Sequence, residues 1–151
     1  MKMVVQRVTS ASCTVEERVT GKIDLGFLVL IGISDEDDHI VADKMVKKLL
    51  GLRIFDDADG KTNLALKDVG GSLLLISQFT LYADCGHGNR PSFIKAGKPD
   101  HAEKLYDYIV EKVRSEGYTA ETGEFGAEMK IDLTNHGPFT IILDSEEIIK
   151  R

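Results

Sequence analysis

Two short segments carry residue types that could do chemistry. The first combines two hydroxyls, an amide and an aromatic ring: Ser77, Gln78, Phe79 and Thr80. It follows an apolar run, residues 73–76, with the composition of a fully buried strand. The second contains Gly137-Pro138, and glycine accepts backbone angles that are closed to other residues. Polar groups at the end of a buried strand indicate a site, and Gly-Pro indicates a backbone shaped to aim its carbonyl groups.

Thr80 is the candidate nucleophile of the first segment. A side-chain hydroxyl is a weak nucleophile unless a base lies beside it, and neither histidine nor lysine is close to Thr80 in the sequence. A base from a distant part of the chain could fold into place, so nucleophilic catalysis stays open. The alternative is structural, with the hydroxyls of Ser77 and Thr80 capping the strand end or bonding to a neighbouring strand.

Few residues could hold a metal ion. The one suggestive local group is Asp-Cys-Gly-His at residues 84–87, and the sequence has neither an HExxH motif nor paired CxxC motifs. The glycine-rich segments 70–71 and 86–88 lack the lysine and hydroxyl of a phosphate-binding loop and are interpreted as turns. We therefore expect neither a metal nor another cofactor.

The charge balance limits how the chain could bind nucleic acid. Its formal net charge is −6, which argues against binding by bulk electrostatics, so any contact with RNA must be local. The candidate cations follow the Ser-Gln-Phe-Thr segment or lie on a predicted helix: Arg90, Lys95, Lys98, Lys44, Lys47 and Lys48. The same clusters could equally be solvated surface.

The strands that position these residues are predicted from hydrophobic patterns. Residues 3–15 are β-rich and residues 27–33 form a continuous apolar run, so both are predicted as neighbouring strands with a polar turn at 16–21 between them. Residues 52–55 are predicted as a further short strand. A hairpin is predicted at the C-terminus, because proline inside a central strand would remove a ladder hydrogen bond. Its strands are residues 128–133 and 139–143, joined by a turn at 135–138.

Two amphipathic helices are also predicted. The first follows the acidic residues 34–38 and ends at Gly51, and the second begins at Pro99 and stops at Gly117. Together with the strands they predict an α+β fold: a mostly antiparallel, curved or barrel-like sheet with two packed helices.

The length of 151 residues is that of one domain, residues 1–151. The N-terminus lacks a basic segment followed by an apolar stretch, and the longest apolar runs are too short to cross a bilayer. Cys13 and Cys85 have no CxxC spacing and are expected as reduced thiols. We expect a cytoplasmic protein that makes no membrane contact.

Several segments together resemble the D-aminoacyl-tRNA deacylase family, whose two motifs read SQFT and NxGPxT. Residues 77–80 and 135–140 match these motifs, with His136 and Phe139 where the family has an acidic residue and a smaller aliphatic one. Three further stretches fall where the family places similar segments: residues 3–8, 88–93 and 125–129. The resemblance therefore covers essentially the whole chain.

The resemblance implies an enzyme that hydrolyses the ester bond of D-aminoacyl-tRNA and spares the L-isomers. The main chain around Phe79 and Thr80 would line the ester, Gln78 would shape the pocket, and the vicinal ribose hydroxyl would help to activate or orient water. The carbonyls of Gly137 and Pro138, joined by a cis bond, would hold the amino group and leave no room for an L side chain. Glycyl-tRNA is an expected second substrate, because glycine has no side chain to reject.

The resemblance also implies a homodimer, in which the Gly-Pro tip of one subunit enters the active site of the other. The remaining substrate-binding residues that it implies are Asn135, Met129, Arg90, Ser92 and Phe93. Two other classes of function stay open: a non-catalytic module that binds the acceptor end of tRNA, and a Thr- or metal-dependent hydrolase of small D-amino-acid esters.

Overall fold

The structure is a computed structural model and describes residues 1–149. In chain order the strands are β1 (Lys2–Val15), β2 (Arg18–Ile23), β3 (Gly26–Gly32), β4 (Phe55–Asp56), β5 (Thr62–Leu64), β6 (Ser72–Ser77), β7 (Ala120–Thr122) and β8 (Lys130–Asp144). The helices are α1 (His39–Gly51), α2 (Leu66–Val69), α3 (Pro99–Ser115) and α4 (Ser145–Ile148), and a 3-10 turn covers Phe79–Tyr82. Among the described residues, no helix is long and apolar enough to cross a membrane.

The sheet is built around β1. Its first half pairs antiparallel with β3 and its second half with β2, while its other edge pairs antiparallel with β8. β3 pairs in parallel with β6, and β6 with β7. β7 returns towards β2, where a Cβ added to Gly21 would lie 2.7 Å from the carbonyl oxygen of Thr122. The sheet is therefore nearly closed, which confirms the predicted barrel-like, mostly antiparallel architecture.

Two apolar clusters fill the two sides of this sheet. Phe27 and Leu73, from β3 and β6, belong to the cluster that also contains the buried faces of α1 and α3. Their neighbours Leu28 and Leu74 belong to the second cluster, with buried residues from the second half of β1 and from β2. Because both faces of β3 and β6 are buried, these strands are continuous apolar runs in the sequence.

The two long helices begin where the sequence predicts. The carboxylate of Asp38 accepts a hydrogen bond from the N–H of Val41 (2.9 Å) and so caps α1. Pro99 occupies the first turn of α3, where its missing N–H costs nothing. The short helices α2 and α4, of four residues each, were not predicted.

Two local predictions are wrong. The predicted turn at 16–21 shrinks to Glu16 and Glu17, both with positive φ (49° and 66°), and the residues after them belong to β2. Such two-residue turns usually carry Asn-Gly, and the glutamates gave no such signal. The predicted strand at 52–55 is reduced to Phe55, because the N–H of Leu52 instead bonds to the carbonyl of Leu49 (3.4 Å) at the end of α1.

The predicted C-terminal hairpin is also wrong. β8 is one strand that runs antiparallel along β1, and both of its halves pair with that neighbour. The register changes twice near the middle: Gln6 pairs with Thr140, Val8 with Asn135, and Ser10 with Thr134. Residues 136–139 therefore bulge out of the strand opposite Arg7. A bulge accommodates proline as well as a turn does, because its residues need no ladder hydrogen bond.

Candidate active site

An apolar cavity of about 650 Å³ opens at the end of β6. Its wall combines the ends of β3 and β6, the loop that leads into α3, the segment before β8 and the start of β8 itself. The larger apolar side chains that line it are Ile31, Ile76, Phe79, Phe93, Phe125 and Met129. These residues come from four separated parts of the sequence, and the closed sheet brings them together.

The Ser-Gln-Phe-Thr segment forms one rim of the cavity. The N–H of Gln78 donates to the carbonyl of Ile31 (2.7 Å), which extends the pairing of β6 with β3 by one residue. The chain then turns into the one-turn 3-10 helix that begins at Phe79. Phe79 is 57% exposed, and its ring meets the ring of Phe93 edge to face, with 5.1 Å between centroids.

Two backbone N–H groups of this rim have no acceptor within residues 1–149: that of Phe79, which lines the cavity, and that of Thr80, which follows it. Phe79 and Thr80 are the first residues of the 3-10 helix, and neither N–H donates a hydrogen bond within residues 1–149. The next residue, Leu81, is the first to bond, to the carbonyl of Gln78 (3.3 Å). Adjacent unpaired N–H groups at a helix start are suited to stabilise an oxyanion that develops on a bound ester.

The side-chain hydroxyls of this rim lack a base. Thr80 Oγ1 accepts a hydrogen bond from Gln78 Nε2, and no histidine, lysine or carboxylate bonds to Ser77 or Thr80 in the described part of the chain. Nucleophilic catalysis requires such a base in contact with the hydroxyl. The arrangement therefore favours a role for the backbone of this segment over a role for its hydroxyls.

The acidic group after this rim is occupied by structural contacts. Asp84 Oδ1 accepts from the N–H of Gly86 (2.9 Å), and Asp84 Oδ2 lies 3.6 Å from Lys95 Nζ. The Gly86 N–H, with the Lys95 ammonium, holds the pKa of the Asp84 carboxyl below its usual value, so this carboxylate stays ionised at neutral pH. Nowhere in residues 1–149 do three His, Cys, Asp or Glu side chains converge as metal ligands.

The other predicted substrate-binding residues divide into two groups. Phe93 and Met129 line the cavity. Ser92 does not line it, but its backbone pairs with that of Asp84 in both directions (2.8 and 2.9 Å) and closes the loop above the rim. Arg90 lies exposed near the tip of that loop.

The Gly-Pro dipeptide lies in the bulge of β8, away from the cavity. The bond between Gly137 and Pro138 is cis, as the resemblance implies, and both residues are exposed. Asn135 fixes the base of the bulge: its Nδ2 donates to Gln6 Oε1 (3.0 Å), and its Oδ1 accepts from the N–H of Phe139 (2.6 Å). None of residues 135–140 lines the cavity of its own chain.

Arg7 contacts the bulge through its side chain, and it is not among the site residues predicted from the sequence. Its side chain is buried, with 6% of its surface exposed, and lies 4.6 Å from the centre of the Phe139 ring. Arg7 Nε donates to the carbonyl of His136 (2.9 Å) and Nη1 donates to that of Ile54 (2.7 Å). The available signal was an arginine at an inward position of the alternating strand β1, after Met3 and Val5.

Fold and site together define a class of protein: a nearly closed barrel with unpaired backbone N–H groups at a cavity rim and a separate, exposed backbone bulge. The chain belongs to the D-Tyr-tRNA(Tyr) deacylase family, whose model matches residues 4–144.

Relatives of the chain support this assignment. A D-aminoacyl-tRNA deacylase of Bacillus pumilus (strain SAFR-032) is 52% identical over 147 residues, covering 97% of this chain and 100% of the relative. One of Thermosipho melanesiensis is 51% identical over 149 residues, covering 98% and 99%. A solved structure described as c-Myc DNA unwinding element binding protein is 41% identical, with a TM-score of 0.88 and coverage of 95% and 98%. A probable eukaryotic D-amino acid tRNA deacylase, 19% identical with a TM-score of 0.78 over 94% and 97%, shares the fold.

Proposed function

We propose that this protein hydrolyses the ester bond of D-aminoacyl-tRNA in the cytoplasm and leaves L-aminoacyl-tRNA intact. The observation that carries the mechanism is the pair of unpaired N–H groups of Phe79 and Thr80 beside an apolar cavity. Membership of the deacylase family, with relatives about half identical over nearly the whole chain, supports the reaction itself. The products are free tRNA and the free amino acid.

The chemistry needs little from side chains. An aminoacyl ester is already activated, so water attacks its carbonyl carbon once the ester is positioned and negative charge on the carbonyl oxygen is stabilised. The N–H groups of Phe79 and Thr80 donate to that oxygen. The ribose hydroxyl next to the ester orients the attacking water, and the departing ribose oxygen takes up a proton.

Selection between enantiomers falls to Gly137 and Pro138. A rigid wall against the α-carbon excludes the L side chain by a clash, whereas the D side chain points away from it. The bulge suits this role because Asn135 and Arg7 fix it from both sides by hydrogen bonds. A wall of backbone tolerates many D side chains, and glycyl-tRNA passes it as a second substrate.

A homodimer brings this wall to the cavity. Within the described residues the bulge does not line its own cavity, which supports a second copy as the source of the wall. β8 offers an interface for that copy: it is 15 residues long and pairs with β1 along one edge, and its Ile142 is 70% exposed. Proteins seldom leave so long a strand edge uncovered.

The experiment that tests the function compares matched substrates. We expect the purified protein to release amino acid from D-tyrosyl-tRNA and to leave L-tyrosyl-tRNA essentially intact, with and without chelator. Binding of tRNA without release would favour a non-catalytic module. Loss of turnover with chelator and its recovery with zinc, or rapid hydrolysis of D-tyrosine methyl ester, would favour a hydrolase of small esters.

A second prediction concerns the hydroxyl of Thr80. We expect Thr80→Ala to keep kcat/KM within about tenfold of the wild-type value, because the hydroxyl oxygen accepts only one exposed hydrogen bond, from Gln78 Nε2. Thr80→Ser, which restores a hydroxyl, serves as the matched control. An acyl-enzyme trapped on Thr80 by rapid quenching would show instead that the hydroxyl is the nucleophile.

A further inference from the structure

Among the described residues that line the cavity, Lys98 alone has an ionisable side chain. The other lining residues are apolar or carry neutral polar groups. The chain as a whole has 25 acidic and 19 basic residues, so its composition favours acidic over basic groups at any surface position. A cation at the mouth of an otherwise uncharged cavity therefore indicates a ligand that carries a negative charge.

The backbone of Lys98 is held in place while its ammonium group is left unpaired. Its N–H donates to Asp35 Oδ1 (2.8 Å), and the next residue, Pro99, begins α3. The side chain is exposed, and no ion pair within residues 1–149 includes it. The neighbouring cation Lys95 differs from Lys98 in two ways. Its ammonium group lies 3.6 Å from the Asp84 carboxylate, and it does not line the cavity.

We propose that Lys98 binds the phosphodiester that joins the terminal nucleotide of the tRNA to its neighbour. The inference rests on the proposed function and names a contact of the same site. In an aminoacyl ester the carboxyl group is esterified, the amino group is neutral or cationic, and the ribose and base are uncharged. The nearest negative charge to the reacting carbonyl is therefore this phosphodiester, and a lysine ammonium binds phosphate well as a point charge.

A carboxylate is the other anion that could reach this position. Hydrolysis releases a free amino acid, and its carboxylate could bind Lys98 as product. The two sources make different predictions. A phosphodiester contact strengthens binding of the substrate, whereas a carboxylate contact strengthens inhibition by the product.

The test uses Lys98→Ala, Lys98→Arg and the control Lys104→Ala, which removes the same charge from an exposed position of α3 that does not line the cavity. Each is assayed with D-tyrosyl-tRNA and with the D-tyrosyl ester of adenosine, which has no phosphate. We expect Lys98→Ala to raise KM for the tRNA substrate about tenfold and for the adenosine ester less than about twofold. The slope of log KM against log salt concentration should fall by about 0.7, and Lys98→Arg should restore most of the loss.

Three results would overturn the proposal: an equal rise of KM for both substrates, no difference between Lys98→Ala and Lys104→Ala, or relief of inhibition by D-tyrosine with both KM values unchanged.

A second experiment measures binding and does not depend on turnover. Equilibrium dialysis should show wild-type protein binding adenosine 5′-monophosphate more tightly than adenosine, with this preference lost in Lys98→Ala. If the wild-type protein hydrolysed neither substrate, the proposed function would fail. The dialysis experiment would still test whether Lys98 binds phosphate.

Discussion

Phe79→Pro should lower kcat for D-tyrosyl-tRNA by about 10²- to 10³-fold relative to Phe79→Ala, the usual loss when one oxyanion donor is removed. Both substitutions delete the aromatic ring, but only proline deletes the backbone N–H. The difference between the two variants therefore isolates the contribution of the N–H group from that of the ring.

The fold should tolerate this proline. Phe79 is the first residue of its 3-10 helix, and its N–H makes no hydrogen bond among the described residues, so none is lost. Gln78 before it has φ −147° and ψ 86°, outside the helical region that a following proline disfavours. Single-turnover rates measure the effect, and thermal melting checks that both variants fold. Equal rates for the two variants would exclude the Phe79 N–H from the chemical step.

Local signals in the sequence are sufficient for much of the fold. Asp38 and Pro99 mark the starts of the two long helices through capping and a fixed φ, which depend on neighbouring residues only. The buried strands β3 and β6 can be recognised in the sequence as unbroken apolar runs, because each is covered on both faces. These features need no knowledge of distant contacts.

Pairing between distant segments is what the sequence alone did not reveal. In the sequence, two strand patterns separated by Gly-Pro are typical of a hairpin. In the structure, β1 is long enough to pair with both halves of β8, so the Gly-Pro connection is a bulge within one strand. The role of Arg7 depends on the same pairing. The N–H groups of Phe79 and Thr80 are backbone atoms, so the residue types of this segment indicate a site but do not indicate the role proposed for its main chain.

Gly137→Ala should abolish most of the turnover of D-tyrosyl-tRNA and reduce the D-to-L preference by at least about tenfold, as expected for 1–3 kcal/mol of strain at a site. Gly137 has φ +146°, and an added Cβ would lie 2.9 Å from the Phe139 nitrogen and 3.2 Å from Arg7 Nη2. Neither neighbour can move freely. The Phe139 N–H donates to Asn135 Oδ1, and the Arg7 side chain donates to two backbone carbonyls. The bulge must therefore change shape.

The matched control is Gly60→Ala, which also places alanine at positive φ (+76°) but in open space away from the cavity and the bulge. It should keep activity and selectivity. Rates with D- and L-tyrosyl-tRNA, measured beside circular dichroism spectra, separate a local change of the bulge from unfolding. Unchanged selectivity in a folded Gly137→Ala protein would remove the bulge from the discrimination step.

The same variant shows whether the bulge acts within a chain or between chains. Gly137→Ala and Phe79→Pro homodimers should both be nearly inactive, because every site contains one lesion. In a heterodimer, one site combines the intact rim of the first chain with the intact bulge of the second, so random mixing should restore about a quarter of the wild-type sites. If heterodimers form, as native mass spectrometry can show, and activity does not return, the bulge and the N–H groups serve the same chain, and the dimer has no part in selecting the enantiomer.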